Sequence, residues 1–224
     1  MIENSANSAA NPTSDASYVF NVLILDESGS MGSIASAAKE VFEGYLHRLI
    51  QEQQDIPDLT QYINMWTFGK PYVNENIPLV KIHSWDKVFP EYFPSGNTPM
   101  FDAIGMSIHK LKESLRILDL QKEQYQVKVF IVSDGEENAS REYKASQIGA
   151  LIRGLIAEGW AFDYYGTDHD ITSMADTLNI ESNRRVMFQK SKAGMESARD
   201  QYMAEIMKEK MSFMESRRSD SSKK

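Results

Sequence analysis

Residues 18–32 read YVFNVLILDESGSMG, and this stretch decides the fold. Tyr18–Leu25 is nearly continuously apolar, the pattern of a strand covered on both faces. Asp26, Glu27, Ser28 and Ser30 follow at once, with Gly29 and Gly32 permitting a tight turn. Beyond them Ile34, Ala38, Val41, Phe42, Tyr45 and Leu49 recur on one helical stripe. A buried strand, an oxygen-rich turn and an amphipathic helix form the first half of a βαβ unit.

The alternation continues along the chain. Gln61–Phe68 reads as a strand, and Tyr72–Ile82, with its Asn-rich turn signals, as a short strand pair at a sheet edge. Ile104, Ile108, Leu111, Leu115 and Leu118 form a second helical stripe, and Val127–Val132 is a strand. Ile148, Leu151, Ile152, Leu155 and Ile156 form a third helix, ended by Gly159. Trp160–Tyr165 is a strand, Ile171–Leu178 a short helix, Arg185–Phe188 a last strand and Gly194–Met214 a Met-rich helix. Strands alternating with helices imply right-handed crossovers and a mostly parallel, doubly wound sheet with helices on both faces. Ligands of such sheets bind beyond the carboxyl ends of the strands, near the point where strand order reverses. The places to inspect are therefore those after Leu25, Phe68, Val132 and Tyr165.

Three segments meet there. Asp26, Ser28 and Ser30 alternate along one loop, so their side chains can turn to one side and offer hard oxygen donors to a hard cation. The competing reading makes Asp26 and the serines caps of the first helix. Gly96-Asn97-Thr98-Pro99 precedes the second long helix, where Thr98 also reads as a cap followed by a first-turn proline. Ser133-Asp134-Gly135-Glu136-Glu137 follows the strand Val127–Val132, so Asp134 lies beside the first strand's end if the two strands are neighbours. Asp26, Ser28, Ser30, Thr98 and Asp134 then supply five oxygen donors from three loops.

This combination resembles the von Willebrand factor type A domain. That family's metal-ion-dependent adhesion site joins a D-x-S-x-S loop, a threonine in a second loop and an aspartate after the fourth strand. All five positions are matched here, in the family's order, and the element order fits from residue 18 to 214. The segments D-E-S-G-S-M, T-P-M-F-D-A-I and S-D-G-E-E-N look most like stand-alone bacterial or phage intracellular members. The resemblance implies an α/β, doubly wound, mostly parallel six-stranded sheet with one antiparallel edge strand and helices on both faces, Rossmann-like. It implies Mg²⁺ as the cofactor, with Mn²⁺ possible and Ca²⁺ less suited. In the family the serines and threonine can contact the cation directly, while the aspartates often act through water. Mg²⁺ prefers six oxygens and keeps several waters. One position remains for a Glu or Asp of a protein partner. Glu27, Asp102, Glu136 and Glu137 lie beside the motifs as candidates to hold metal-bound water or hydroxyls, with Glu27 and Glu137 also readable as solvated rim charges.

Composition sets the remaining bounds. The 224 residues carry a net charge of −8 and no cysteine, which removes disulfide scaffolds, thiolate metal sites and cysteine nucleophiles. An acidic chain argues against nucleic acid as partner. It suits a basic partner, or one reached through a bound cation that inverts the local charge. No apolar run is long enough for a membrane span, and residues 1–17 lack the basic start and apolar stretch of a secretory signal, so a cytoplasmic location is expected. Residues 1–17 are expected to be a disordered tail, 18–214 one domain, and 215–224 a polar tail.

The functional expectation is a non-catalytic, metal-dependent protein-binding module. The alternative is a Mg²⁺-dependent hydrolase or phosphotransferase, with Ser28 or Ser30 as nucleophile. Against it, no cation stands in the donor loops to activate a nucleophile or clamp a phosphoryl group. Asp168-His169-Asp170 reads either as a helix cap or as a metal pair. Asp163 is either solvated or hydrogen-bonded, and Asn138-Ala139-Ser140 is a chance glycosylation sequon. The Met stripe at 195, 203, 207, 211 and 214 is core packing or a partner surface.

Overall fold

A computed structural model describes residues 17–56, 58–86, 88–134, 137–167 and 171–189, together with 191, 193, 194, 197, 200, 204, 208, 211, 212 and 215. Its strands and bounded α-helices are β1 Ser17–Glu27, α1 Ala35–Asp55, β2 Leu59–Gly69, β3 Val73–Lys81, α2 Met100–Leu118, β4 Tyr125–Val132, α3 Ala145–Ala157, β5 Ala161–Thr167, α4 Ile171–Thr177 and β6 Arg185–Phe188. The sheet order is β3-β2-β1-β4-β5-β6, parallel throughout except for β3, which runs antiparallel to β2 at one edge. This is the expected doubly wound architecture.

β1 is the centre of the sheet because its alternate residues build both layers. Phe20, Val22 and Ile24 pack with Ile104, Ile108 and Leu111 of α2 and Ile148 and Ile152 of α3. Leu23 and Leu25 pack with Phe42, Tyr45, Leu46 and Leu49 of α1. Each such side chain contributes about 1.5–3 kcal/mol on burial. Asn21 interrupts the apolar run, and its amide is satisfied by Gln61 Oε1 at 3.3 Å and the Tyr62 carbonyl at 3.1 Å.

The register places the site. Strand order reverses between β2 and β4, on either side of β1. Leu25 pairs with Val132 and Asp26 with Phe68, so the residue after β4 comes level with Asp26.

Three local readings change. The region Tyr72–Ile82 is a single edge strand, because β3 finds its partner in β2 rather than in itself. The first helix is preceded by a 3₁₀ turn, Gly29–Ile34, which tightens the donor loop. Pro99, not Thr98, is the residue capping α2, and it makes no side-chain capping bond. Gly159, at φ 95°, ends α3 as expected. Residues 193, 194, 197, 200, 204, 208, 211, 212 and 215 are helical, and Met211 is exposed. Met195, Met203, Met207 and Met214, residues 1–16 of the expected N-terminal tail, residues 216–224 of the expected C-terminal one, and Asp168-His169-Asp170 lie outside the described residues, while Ser17, read as the end of the first tail, opens β1. Among the described residues no helix is long and apolar enough to cross a membrane.

Candidate metal centre

The first donor loop grows directly out of β1. Asp26 is fully buried, and its two oxygens have separate partners. Oδ1 accepts the Ser28 N–H at 2.7 Å, and Oδ2 accepts the Ser133 hydroxyl at 2.6 Å. Ser28 Oγ lies 3.0 Å from Ser30 Oγ, and Ser30 Oγ donates to Asp134 Oδ1 at 2.8 Å. Neither serine therefore caps α1, and Ser28, at the N-cap of the 3₁₀ turn, makes no side-chain capping bond. They form a hydrogen-bonded chain that joins the end of β1 to the end of β4. Ser28 and Asp134 are buried, whereas Gly29, Ser30, Gly96 and Asn97 are exposed and form the open side.

Burial pushes the Asp26 carboxyl up to about 6. Hydrogen bonds from Ser133 and Ser28 act in the opposite direction, and the nearby Asp134 charge adds to the rise. Two carboxylates sharing a buried site disfavour each other's charge, a situation that a cation between them reverses.

Thr98 is buried, and its backbone is fixed on both sides. Its N–H donates to Asn138 Oδ1 at 2.9 Å and its carbonyl accepts the Asn138 N–H at 3.2 Å. Two residues earlier, the Gly96 carbonyl accepts the Gly29 N–H at 3.1 Å. The 96–98 segment is thus held between the first and third loops.

The acidic neighbours organise loops. Glu27 is buried: its Oε1 accepts the Phe93 N–H at 2.7 Å and its carbonyl accepts the Ser95 N–H at 2.7 Å. Tyr92 donates its hydroxyl to the Asp26 carbonyl at 2.6 Å, and burial pushes that phenol's pKa well up. Glu137 Oε2 accepts the Phe101 N–H at 2.9 Å and the Ser140 hydroxyl at 2.8 Å, while its Oε1 accepts the N–H groups of Ala139 and Ser140. Ser140 Oγ in turn accepts the Asp102 N–H at 3.1 Å. The orphan donors at the start of α2 are therefore capped from the β4–α3 loop, which is why Thr98 is not needed for that task. Glu27 and Glu137 are not solvated rim charges.

Asp102 is likewise a loop anchor. Its carboxylate accepts the N–H groups of Arg141 at 2.7 Å, Glu142 at 3.0 Å and Tyr143 at 2.8 Å, and the Tyr72 hydroxyl. Burial would raise its pKa, but these four donors outweigh burial and hold it below the usual carboxylate value. Glu136 lies outside the described residues. Asp163, on β5, is buried and accepts from Arg184 at 3.2 Å. Arg141, a cation of the third loop passed over in the sequence, lies with its guanidinium 4.9 Å from the Tyr72 ring centre.

Sequence reasoning missed Ser133, Asn138, Ser140, Tyr72 and Tyr92. Ser133 could have been suspected from its place beside Asp134. Asn138 stood in a sequon, and its role depends on a loop 40 residues away. Among the described residues no three His, Cys, Asp or Glu side chains group as a metal site. The residues brought together are instead two carboxylates, Asp26 and Asp134, with the hydroxyls of Ser28, Ser30 and Ser133, an all-oxygen cluster whose chemistry would suit a hard cation such as Mg²⁺ or Mn²⁺ better than a soft one.

No protein-family model and no curated protein sequence matches the chain. Solved structures do match. The chain is similar to the vWF domain of the type V pili tip protein Mfa5 from Porphyromonas gingivalis, with a TM-score of 0.58 and 10% identity over 85% of this chain and 95% of that one. It is similar to manganese-loaded TRAP protein from Plasmodium vivax, with a TM-score of 0.53 and 16% identity over 83% of this chain and 72% of that one. It is also similar to proximal thread matrix protein 1 of the mussel byssus with its MIDAS motif occupied by zinc, with a TM-score of 0.51 and 14% identity over 84% of this chain. The chain spans 46% of that mussel protein's length. The fold is the von Willebrand factor type A fold.

Proposed function

We propose that the chain is a metal-dependent protein-binding module without catalytic activity. Asp26, Ser28, Ser30, Thr98 and Asp134 would hold Mg²⁺, with Mn²⁺ a competent substitute and Ca²⁺ a poorer one. The observation that carries this reading is the hydrogen-bonded chain Ser28–Ser30–Asp134, with Asp26 buried at its base. A similar fold with zinc in its MIDAS motif and another that is manganese-loaded support it. When bound, Mg²⁺ supplies a Lewis-acidic position that accepts one more oxygen, here a Glu or Asp of a protein partner.

The protein's own part is to keep the donors aligned and mostly neutral. Ser133 and the Ser28 amide orient Asp26, and Glu137, Asn138 and Asp102 hold the second and third loops in register. Second-sphere bonds of this kind commonly matter about 10–100-fold in metal affinity.

The test is calorimetric titration of Mg²⁺ and Mn²⁺ into wild type and Asp26→Ala. It is paired with partner capture from cell extract in Mg²⁺ or EDTA, and with phosphatase and nucleotide-hydrolysis assays. Metal binding lost in the variant, EDTA-sensitive capture and no turnover are expected. Absence of metal binding, or Mg²⁺-dependent turnover that Ser28→Ala or Ser30→Ala abolishes, would refute the reading.

A further inference from the structure

Phe93 is 70% exposed, yet its backbone is rigidly tied to the end of β1. Its N–H is held by Glu27 Oε1, its neighbour Tyr92 is buried with the hydroxyl on the Asp26 carbonyl, and Ser95 N–H bonds the Glu27 carbonyl. The segment alternates, Tyr92 inward and Phe93 outward, and its anchors are Asp26 and Glu27, the last two residues of β1. A large apolar side chain presented on a hydrogen-bonded loop is preorganised for contact, and aromatic residues in such positions dominate binding surfaces.

The same rim continues to two cations. Ser95 and Gly96 pack on the β2–β3 turn: a Cβ on Gly69 would come within 2.9 Å of the Ser95 carbonyl, and one on Gly96 within 3.1 Å of Lys70 Cβ. Gly69 N–H bonds the Tyr72 carbonyl at 2.8 Å, and Arg141 stacks on the Tyr72 ring. Lys70 and Arg141 are both exposed. Around the candidate metal centre, the rim therefore runs from Phe93, beside the exposed Glu91, through Ser95 and Gly96 to Lys70, Tyr72 and Arg141.

We infer that this rim selects the partner, and that the partner presents an extended acidic segment. The metal-seeking carboxylate of that segment has an aromatic or long aliphatic side chain on the flank facing Phe93. It has a further Asp or Glu on the flank facing Lys70 and Arg141. Glu91 discourages acid on the Phe93 flank. Lys70 and Arg141 place positive charge on that one flank of a chain whose net charge is −8, which is where a further acid of the segment would be drawn. This inference rests on the metal-site reading above.

The experiment is selection from a displayed peptide library with a fixed central Glu and four randomised residues on each side, in Mn²⁺ and in EDTA. The baits are wild type, Phe93→Ser, Lys70→Glu and Arg141→Glu, the last two separately because Glu142 is also exposed. Mn²⁺ binding to each bait is measured first by calorimetry. The expected result is undiminished Mn²⁺ affinity in all four and enrichment of apolar residues on one flank and acids on the other. Phe93→Ser should weaken the best peptide about tenfold and erase the apolar preference. The charge reversals should erase the acidic one. Peptides without flank preference, or preferences the variants leave unchanged, overturn the rim's role while leaving the metal site standing. Absence of Mn²⁺ binding by wild type overturns both.

Discussion

Ser30 Oγ donates to Asp134 Oδ1 at 2.8 Å, a bond spanning 104 residues. It joins a loop after the first strand to a loop after the fourth, and it exists because β1 and β4 are paired with Leu25 opposite Val132. Everything at the candidate site depends on that register.

Asp134→Asn is expected to separate metal response from stability. Without metal, removing one of two buried acids relieves repulsion, so the variant should melt at the wild-type temperature or up to about 4 °C higher. With Mg²⁺ at a hundredfold excess over its dissociation constant, wild type should gain about 2.7 kcal/mol, or about 5–11 °C, and the variant almost nothing. Thermal melts of both proteins with Mg²⁺ and with EDTA check this, and an undiminished shift in the variant contradicts the ligand role.

Asp102 should make the protein acid-sensitive. Its folded-state pKa is lowered, so its stabilisation is complete above the unfolded carboxylate value of about 3.9 and is lost as pH falls through the folded one. Asp102→Asn should be less stable than wild type at pH 7, and the gap should narrow below about pH 4. Urea unfolding from pH 7 to pH 2.5 measures it. A gap that stays constant or widens on acidification goes against the prediction.

Glu137→Ala removes four accepted hydrogen bonds, one from the Phe101 N–H that ties the third loop to the start of α2 and three from Ala139 and Ser140 that shape the loop itself. Loss of a helix cap typically costs about 0.5–2 kcal/mol. Metal affinity should also fall, by about tenfold or more, although Glu137 is not among the five donors. Calorimetry beside chemical denaturation tests both effects, and a stability loss with unchanged metal affinity would confine Glu137 to capping.

Gly69→Ala is expected to be severe for its size. A Cβ there would strike the Glu27 carbonyl and come within 2.9 Å of the Ser95 carbonyl. Overpacking against backbone costs about 1–3 kcal/mol. The shift would be passed to Ser95 and Phe93 through Glu27. Denaturation measures the first effect, and amide exchange of Phe93 and Ser95 the second. Unchanged exchange would mean that the 92–98 loop holds its place independently.

The legible parts of the site are those written as short runs. D-E-S-G-S, the threonine before Pro99 and the aspartate after β4 each sit at a strand or helix boundary that periodicity locates. Asn138, Ser133, Tyr72 and Tyr92 were not legible. Each bonds a residue 30 or more positions away, and no local pattern records such a partner. The sequence left Glu137 open between an outer-sphere group and a solvated charge for the same reason, since its role follows from where the start of α2 lies relative to the third loop. The single edge strand at Val73–Lys81 was misjudged because a strand's partner is a tertiary fact.

By itself the sequence determined the alternation of buried strands and amphipathic helices, the doubly wound class, and which oxygen-bearing residues stand at strand ends. These follow from side-chain period and burial, which are local properties of the chain. Tertiary structure alone decided that Ser30 meets Asp134, that Asn138 clamps Thr98, that three acids serve as loop anchors and that Phe93 faces outward beside the site. The reason is physical: hydrogen bonds reach about 3 Å, so their partners are set by strand register and loop packing, not by spacing along the chain.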